Sequence, residues 1–206
     1  REWLEQQAVG GLLAVDDPTA DPEERRYRLP EGHARVLVDR DDPLWQGTRP
    51  HSLLPVAWRM PALLEAFRSG GGLSSVGQDA DARVAQASLG RVAYLASMGD
   101  WIASMPDVDG RLRREPPARV ADLGCGAGWS AIGLARAYPF ARVDGFDLDP
   151  DSIAMAESSA RDCGVADRVR FHVRDAADPG LAGAYDLGLR QLARAAGSRG
   201  MAGGQM

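Results

Sequence analysis

The sequence predicts an α/β chain, with an open parallel sheet in its second half and a mostly helical region ahead of it. Three observations carry this expectation. From Ala118 onward, short apolar runs alternate with helical stretches, the rhythm of strand–helix–strand units whose strands lie parallel. The first of these strands ends in Asp122-Leu123-Gly124-Cys125-Gly126-Ala127-Gly128, with a glycine at every second position. The second and third strands each end in an acid, Asp147 and Asp175, at the edge where open α/β sheets bind ligands.

Residues 1–9 are expected to form a helix, because Trp3, Leu4 and Ala8 recur near helical spacing and Gly10-Gly11 ends the run. Residues 12–15 and 25–29 are expected as short strands. The acid- and proline-rich loop between them cannot continue a ladder. Pro30 can open a helix through Val38. Helix, strand, loop and strand make the back half of a winged helix, so residues 1–50 are expected to be a partial winged helix serving dimerisation or scaffolding. DNA binding fits poorly. Residues 1–50 hold eleven acids against seven arginines, and phosphate contacts need a net basic face.

Residues 51–116 read as a helical connecting region. Pro55 and Pro61 sit near the starts of helical pieces ending at Ser69-Gly70-Gly71-Gly72, with Leu63, Leu64, Ala66 and Phe67 as expected core. Residues 80–105 are expected to be helical and buried between partners. Leu89, Val92 and Ala96, together with Tyr94, Leu95, Met98, Trp101 and Ile102, cover more than one face. Pro106 stops that helix, and residues 111–114 are expected as a basic turn.

The strands of the second half are expected over residues 119–123, 142–146 and 168–173, with a fourth beginning at Tyr185-Asp186-Leu187. Helices are expected over residues 129–138 and 150–163, the latter capped by Asp149, opened by Pro150 and ended by Gly164. The glycine turn lets a ligand pass close to the backbone, and the following helix points free N–H groups at the same place. Its spacing separates it from the dinucleotide pattern Gly-x-Gly-x-x-Gly, because Trp129 stands at the third glycine position. A carboxylate such as Asp147 can accept from both hydroxyls of a ribose. Asp175 is placed to accept from an adenine amino group, and Leu148 to cover the ring.

Composition narrows the partners. The 206 residues carry a formal charge of −5, which argues against nucleic acid or an anionic membrane held by bulk charge. No apolar run reaches membrane-spanning length. Cys125 and Cys163, in unrelated contexts, read as reduced structural thiols of a cytoplasmic protein. All 24 basic residues are arginine and asparagine is absent, which implies a GC-rich bacterial genome. The histidines are His33, His51 and His172; no catalytic base is assigned, and no cluster has metal spacing.

Three stretches, Asp122 to Gly128, Gly145-Phe-Asp-Leu-Asp149 and Arg174-Asp-Ala176, resemble the first three binding motifs of class I S-adenosylmethionine-dependent methyltransferases. The upstream half is similar to a bacterial group with a winged-helix segment ahead of that domain. The resemblance implies a Rossmann-like sheet, S-adenosyl-L-methionine as cofactor and a small-molecule methyl acceptor; separately, a homodimer is expected through the N-terminal region. It implies that Gly124, Cys125, Gly126 and Gly128 lie under the methionine part, with Asp122 orienting the loop and favouring the ammonium group. Asp147 then holds the ribose, and Leu148, Asp175 and the Ala176 backbone meet adenine.

The family sheet has seven strands, whereas residues 117–189 reach the fourth. The last 19 residues hold three arginines and no acid. A helix over residues 189–196 is expected, with residues 190–206 as an atypical, disordered tail and a truncation or frame slip as its origin. The chain is therefore expected to hold a cofactor half-site without the segment that closes the acceptor pocket, and so to be inactive. Two readings stand beside the enzyme: a non-catalytic adenosyl-ligand-binding protein and a winged-helix regulator.

Overall fold

A computed structural model describes residues 1–73, 80–181 and 183–190. The chain divides into two compact units, Arg1–Gly47 and Thr48–Met206.

In the first unit, helix α1 (Glu2–Val9) gives way at Gly10 and Gly11 to strand β1 (Ala14–Val15). That strand pairs antiparallel with β2 (Tyr27–Arg28), Ala14 opposite Arg28 and Val15 opposite Tyr27. The loop between them is held by its own acids. Asp17 accepts from the Thr19 amide at 2.8 Å and Asp21 from the Glu23 amide at 3.0 Å. Helix α2 (Glu31–Leu37) follows Pro30, and the His33 ring Nδ1 lies 2.8 Å from the Leu12 carbonyl. On α1, Glu5 pairs with Arg25.

The second unit opens with α3 (Arg49–Ser69), a continuous helix of 21 residues. Pro55 and Pro61 lie inside it and do not start separate pieces, which corrects the sequence expectation. The expected core set is corrected as well: Leu63, Leu64 and Phe67 are exposed. Among the described side chains of this helix Pro55 is buried, with Ser52, Arg59 and Ala66 half-buried on the same side.

Helix α4 (Ala80–Ala103) buries Ala82, Ala85, Val92, Met98 and Ile102, and leaves Leu89, Ala96 and Trp101 exposed. Tyr94 and Leu95 also pack against the core, so its covered residues lie on more than one face, and it packs against α3 on one side, as expected of a helix between partners. It packs closely on α6 (Trp129–Ala137): a Cβ at Gly133 would lie 2.5 Å from the Tyr94 carbonyl oxygen. Pro106 occupies the first turn of a further helix, α5 (Pro106–Leu112), so the expected basic turn is partly helical.

The sheet is parallel and four-stranded, in the order β5 (Val169–Val173), β4 (Arg142–Asp147), β3 (Arg119–Leu123), β6 (Leu187–Arg190). Helix α6 connects β3 to β4, and α7 (Pro150–Asp162) connects β4 to β5. Val120, Ile132, Leu134, Tyr138, Val143 and Phe171 are core residues between sheet and helices. The fold is thus α/β with a Rossmann-like parallel sheet. Leu189 and Arg190 are strand, not helix; the remainder of that expected helix and residues 191–206 lie outside the described residues.

Candidate ligand site at the carboxyl edge of the sheet

Register brings the candidate residues to one edge. Asp122 lies opposite Gly145 and Leu123 opposite Phe146, while Asp147 lies opposite Val173, two residues before Asp175. After Leu123 the backbone folds over the end of β4. The amides of Gly124 and Cys125 both donate to the Phe146 carbonyl, at 2.8 and 3.0 Å. Gly124, Gly126 and Gly128 all have positive φ, of 73°, 51° and 79°. Gly128 is the most constrained. A Cβ there would sit 2.5 Å from the Phe171 ring and 2.9 Å from the Ala156 Cβ. Gly126 has open space where its side chain would be, as a turn lying beneath a ligand requires.

Asp147 is tied directly to this turn. Its Oδ2 accepts from the Gly126 amide at 2.8 Å and its Oδ1 from the Asp149 amide at 3.0 Å. A carboxylate oxygen can accept twice, so each keeps acceptor capacity for a further donor. Asp149 caps α7 by accepting from the Ser152 amide at 3.2 Å and hydroxyl at 2.6 Å. Burial alone would raise the Asp149 carboxyl, but hydrogen bonds from Arg83 and Ser152 hold it below its ordinary value.

Asp122 is the unusual group. It is 0% exposed, and the Ser130 hydroxyl donates to its Oδ2 at 2.5 Å. Its Oδ1 is buried without a hydrogen-bond partner. Burial pushes this carboxyl up to about 6, and the charge of Asp147 adds to the rise, against the Ser130 hydroxyl and the Ala131 amide. Native structures rarely leave a buried carboxylate oxygen without a donor. Cys125 is also buried, and desolvation followed by the charges of Asp122 and Asp147 pushes its thiol far up, so it is no nucleophile.

The adenine-side candidates stand further out. Leu148 is half exposed, at 54%. Asp175 and Ala176 are exposed, and Asp175 accepts from the Ala177 amide at 2.8 Å. His172 does not serve this edge: its Nε2 lies 3.2 Å from Asp144 and its ring stacks on Phe146.

Two participants escape the sequence pattern. Ser130 lies two residues past the last glycine, and only its hydroxyl opposite Asp122 distinguishes it. Arg83 reaches Asp149 from α4 at 2.7 Å, across 66 positions of sequence. In a chain whose basic residues are all arginine, nothing local marks it out.

Comparison with known proteins matches the same stretch of the chain. Residues 120–192 match the family described as a methyltransferase domain. A trans-aconitate 2-methyltransferase of Streptomyces avermitilis is 35% identical over 88 residues, covering 43% of this chain and 31% of that protein. A geranyl diphosphate 2-C-methyltransferase of Saccharopolyspora erythraea is 38% identical over 67 residues, covering 32% of this chain and 23% of that protein. The chain thus matches under a third of either relative's length. An O-methyltransferase family protein from Burkholderia thailandensis shares the fold, with a TM-score of 0.60 at 21% identity, over 84% of this chain and 48% of that one.

Proposed function

We propose that the carboxyl edge of the sheet binds S-adenosyl-L-methionine and that the chain belongs to a methyltransferase acting on a small molecule. The observation that carries this is the buried, unpartnered Oδ1 of Asp122 beside the glycine turn. An ammonium group supplies the donor and the positive charge that this oxygen lacks. Gly124, Cys125, Gly126 and Gly128 line the methionine part, Asp147 takes the ribose hydroxyls, and Leu148, Asp175 and the Ala176 backbone meet adenine. When bound, the cofactor supplies an activated methyl group, so the protein's own work is binding, alignment and exclusion of water.

A small-molecule acceptor is supported by the substrates named for the two curated relatives and by a net charge of −5. Among the described residues no helix is long and apolar enough to cross a membrane. The free thiols of Cys125 and Cys163 support a reducing, cytoplasmic setting. The partial winged helix of residues 1–50 stays a scaffold in this reading. Homodimerisation finds its support on α3, where Leu53, Val56, Met60, Leu63 and Phe67 recur at the alternating spacing of three and four that pairs helices, all of them exposed.

A non-catalytic adenosyl-binding protein is the second reading, favoured by the engagement of His172 with Asp144, away from the glycine turn. Calorimetry with S-adenosylmethionine tests the shared premise. Wild type should bind and Asp147→Ala should lose tenfold or more in affinity, the effect of removing a charged hydrogen-bond acceptor. Equal binding by both, or none by wild type, refutes it. Methyl transfer to any acceptor by the 206-residue chain separates the two readings.

A further inference from the structure

Asp147 can meet a ribose diol only if its carboxylate is held in one orientation. Each of its oxygens accepts one backbone N–H, from Gly126 and from Asp149. Gly126 belongs to the glycine turn that follows β3. Asp149 belongs to the two-residue step from β4 into α7, and its amide is only as well placed as that step is rigid.

Two attachments fix Asp149. One is local, the cap over Ser152. The other comes from the helical region upstream. Arg83 on α4 places Nε 2.7 Å from Asp149 Oδ2 and Nη2 2.9 Å from Asp151 Oδ2. Its side chain is 11% exposed and that of Asp149 13%, so this pair is largely shielded from solvent, while Asp151 lies at the surface. A planar guanidinium with two donors on two acids of one helix turn fixes direction as well as distance. The chain of contacts runs from Arg83 to Asp149, from the Asp149 amide to Asp147 Oδ1, and from Asp147 Oδ2 to the Gly126 amide.

We infer that Arg83 is a positioning residue for recognition of the ribose hydroxyls, acting from α4 through Asp149 on Asp147. This rests on the adenosyl reading of the site and adds to it a residue outside the matched methyltransferase domain. It also gives α4 a role in the ligand site besides packing on α6.

The test compares S-adenosylhomocysteine with its 2′,3′-dideoxy analogue by calorimetry, on the full chain. Wild type should prefer the diol by tenfold or more, the effect of hydrogen bonds to a charged group. In Arg83→Gln, affinity for S-adenosylhomocysteine should fall by about tenfold while the dideoxy analogue binds as before, so that the preference collapses. Equal loss for both ligands, or no loss for either, overturns the inference while leaving the adenosyl reading in place. Failure of wild type to bind either ligand overturns both. Arg83→Lys keeps the charge without the planar fork and covers the case where Arg83→Gln does not fold. Its preference should fall by about threefold, and an unchanged preference overturns the inference.

Discussion

Replacing Asp122 by asparagine separates the cost of a buried charge from its use. The Asp122 carboxyl stands at about 6 in the folded chain against an ordinary 3.8, chiefly because it is buried. The folded state therefore holds this proton more tightly than the unfolded state. The resulting stability is fully present below pH 4 and is lost as pH rises through 6. A shift of about two units corresponds to about 3 kcal/mol. Asparagine keeps an oxygen for the Ser130 hydroxyl and does not titrate. Relative to wild type, Asp122→Asn should thus gain about 3 kcal/mol between pH 4 and pH 7.5, or about 6 to 12 °C in melting temperature for a chain of this size. Paired thermal melts across that range read the difference directly, since the other titrating groups are common to both proteins. Parallel curves would refute the argument and with it the raised carboxyl. Ligand affinity should move the opposite way. At pH 7.5 the variant should bind S-adenosylmethionine tenfold or more weakly, having lost a charged partner for the ammonium group.

Gly128→Ala should destabilise the chain by about 3 kcal/mol in urea titration, since a positive φ and a 2.5 Å approach to Phe171 oppose a Cβ together. Light scattering at micromolar concentration should show a dimer for wild type and a monomer for Met60→Glu combined with Phe67→Glu, because both residues lie on the exposed α3 stripe. An alkylating reagent at pH 8 should label Cys163 in the folded protein and spare Cys125, whose thiol is buried and raised; mass spectrometry of the peptides settles it.

Legibility followed the range of the forces involved. Strand β3 and the cap of α7 were readable because their signals are local: an apolar run into glycines, and Asp149 before Pro150. Asp122, the glycines and Asp147 were readable as a group because the turn and the strand ends lie within 26 residues of one another. Helix α3 was misread for the opposite reason. Its apolar residues surround the axis, and a proline does not announce whether the helix will tolerate it. Only tertiary packing shows that Pro55 faces inward while Leu63 and Phe67 do not. Leu189 and Arg190 likewise read as helix from composition, and pairing with β3 makes them strand.

The electrostatics of the site also favour one kind of ligand over its fragments. Asp122 and Asp147 raise the energy of each other's charge, visible in the contribution of Asp147 to the Asp122 carboxyl. In the proposed reading a neutral nucleoside would meet Asp147 and leave the buried Oδ1 of Asp122 without a donor. An amino acid alone would meet Asp122 and leave Asp147 with spare acceptors. A cationic ligand that spans both satisfies the orphaned oxygen and offsets the repulsion between the two acids. The affinity of S-adenosylmethionine should therefore exceed what adenosine and methionine binding measured separately would give if they simply added, and the excess should shrink in Asp122→Asn. Additive affinities in wild type would mean that the two acids act independently, each on its own part of the ligand.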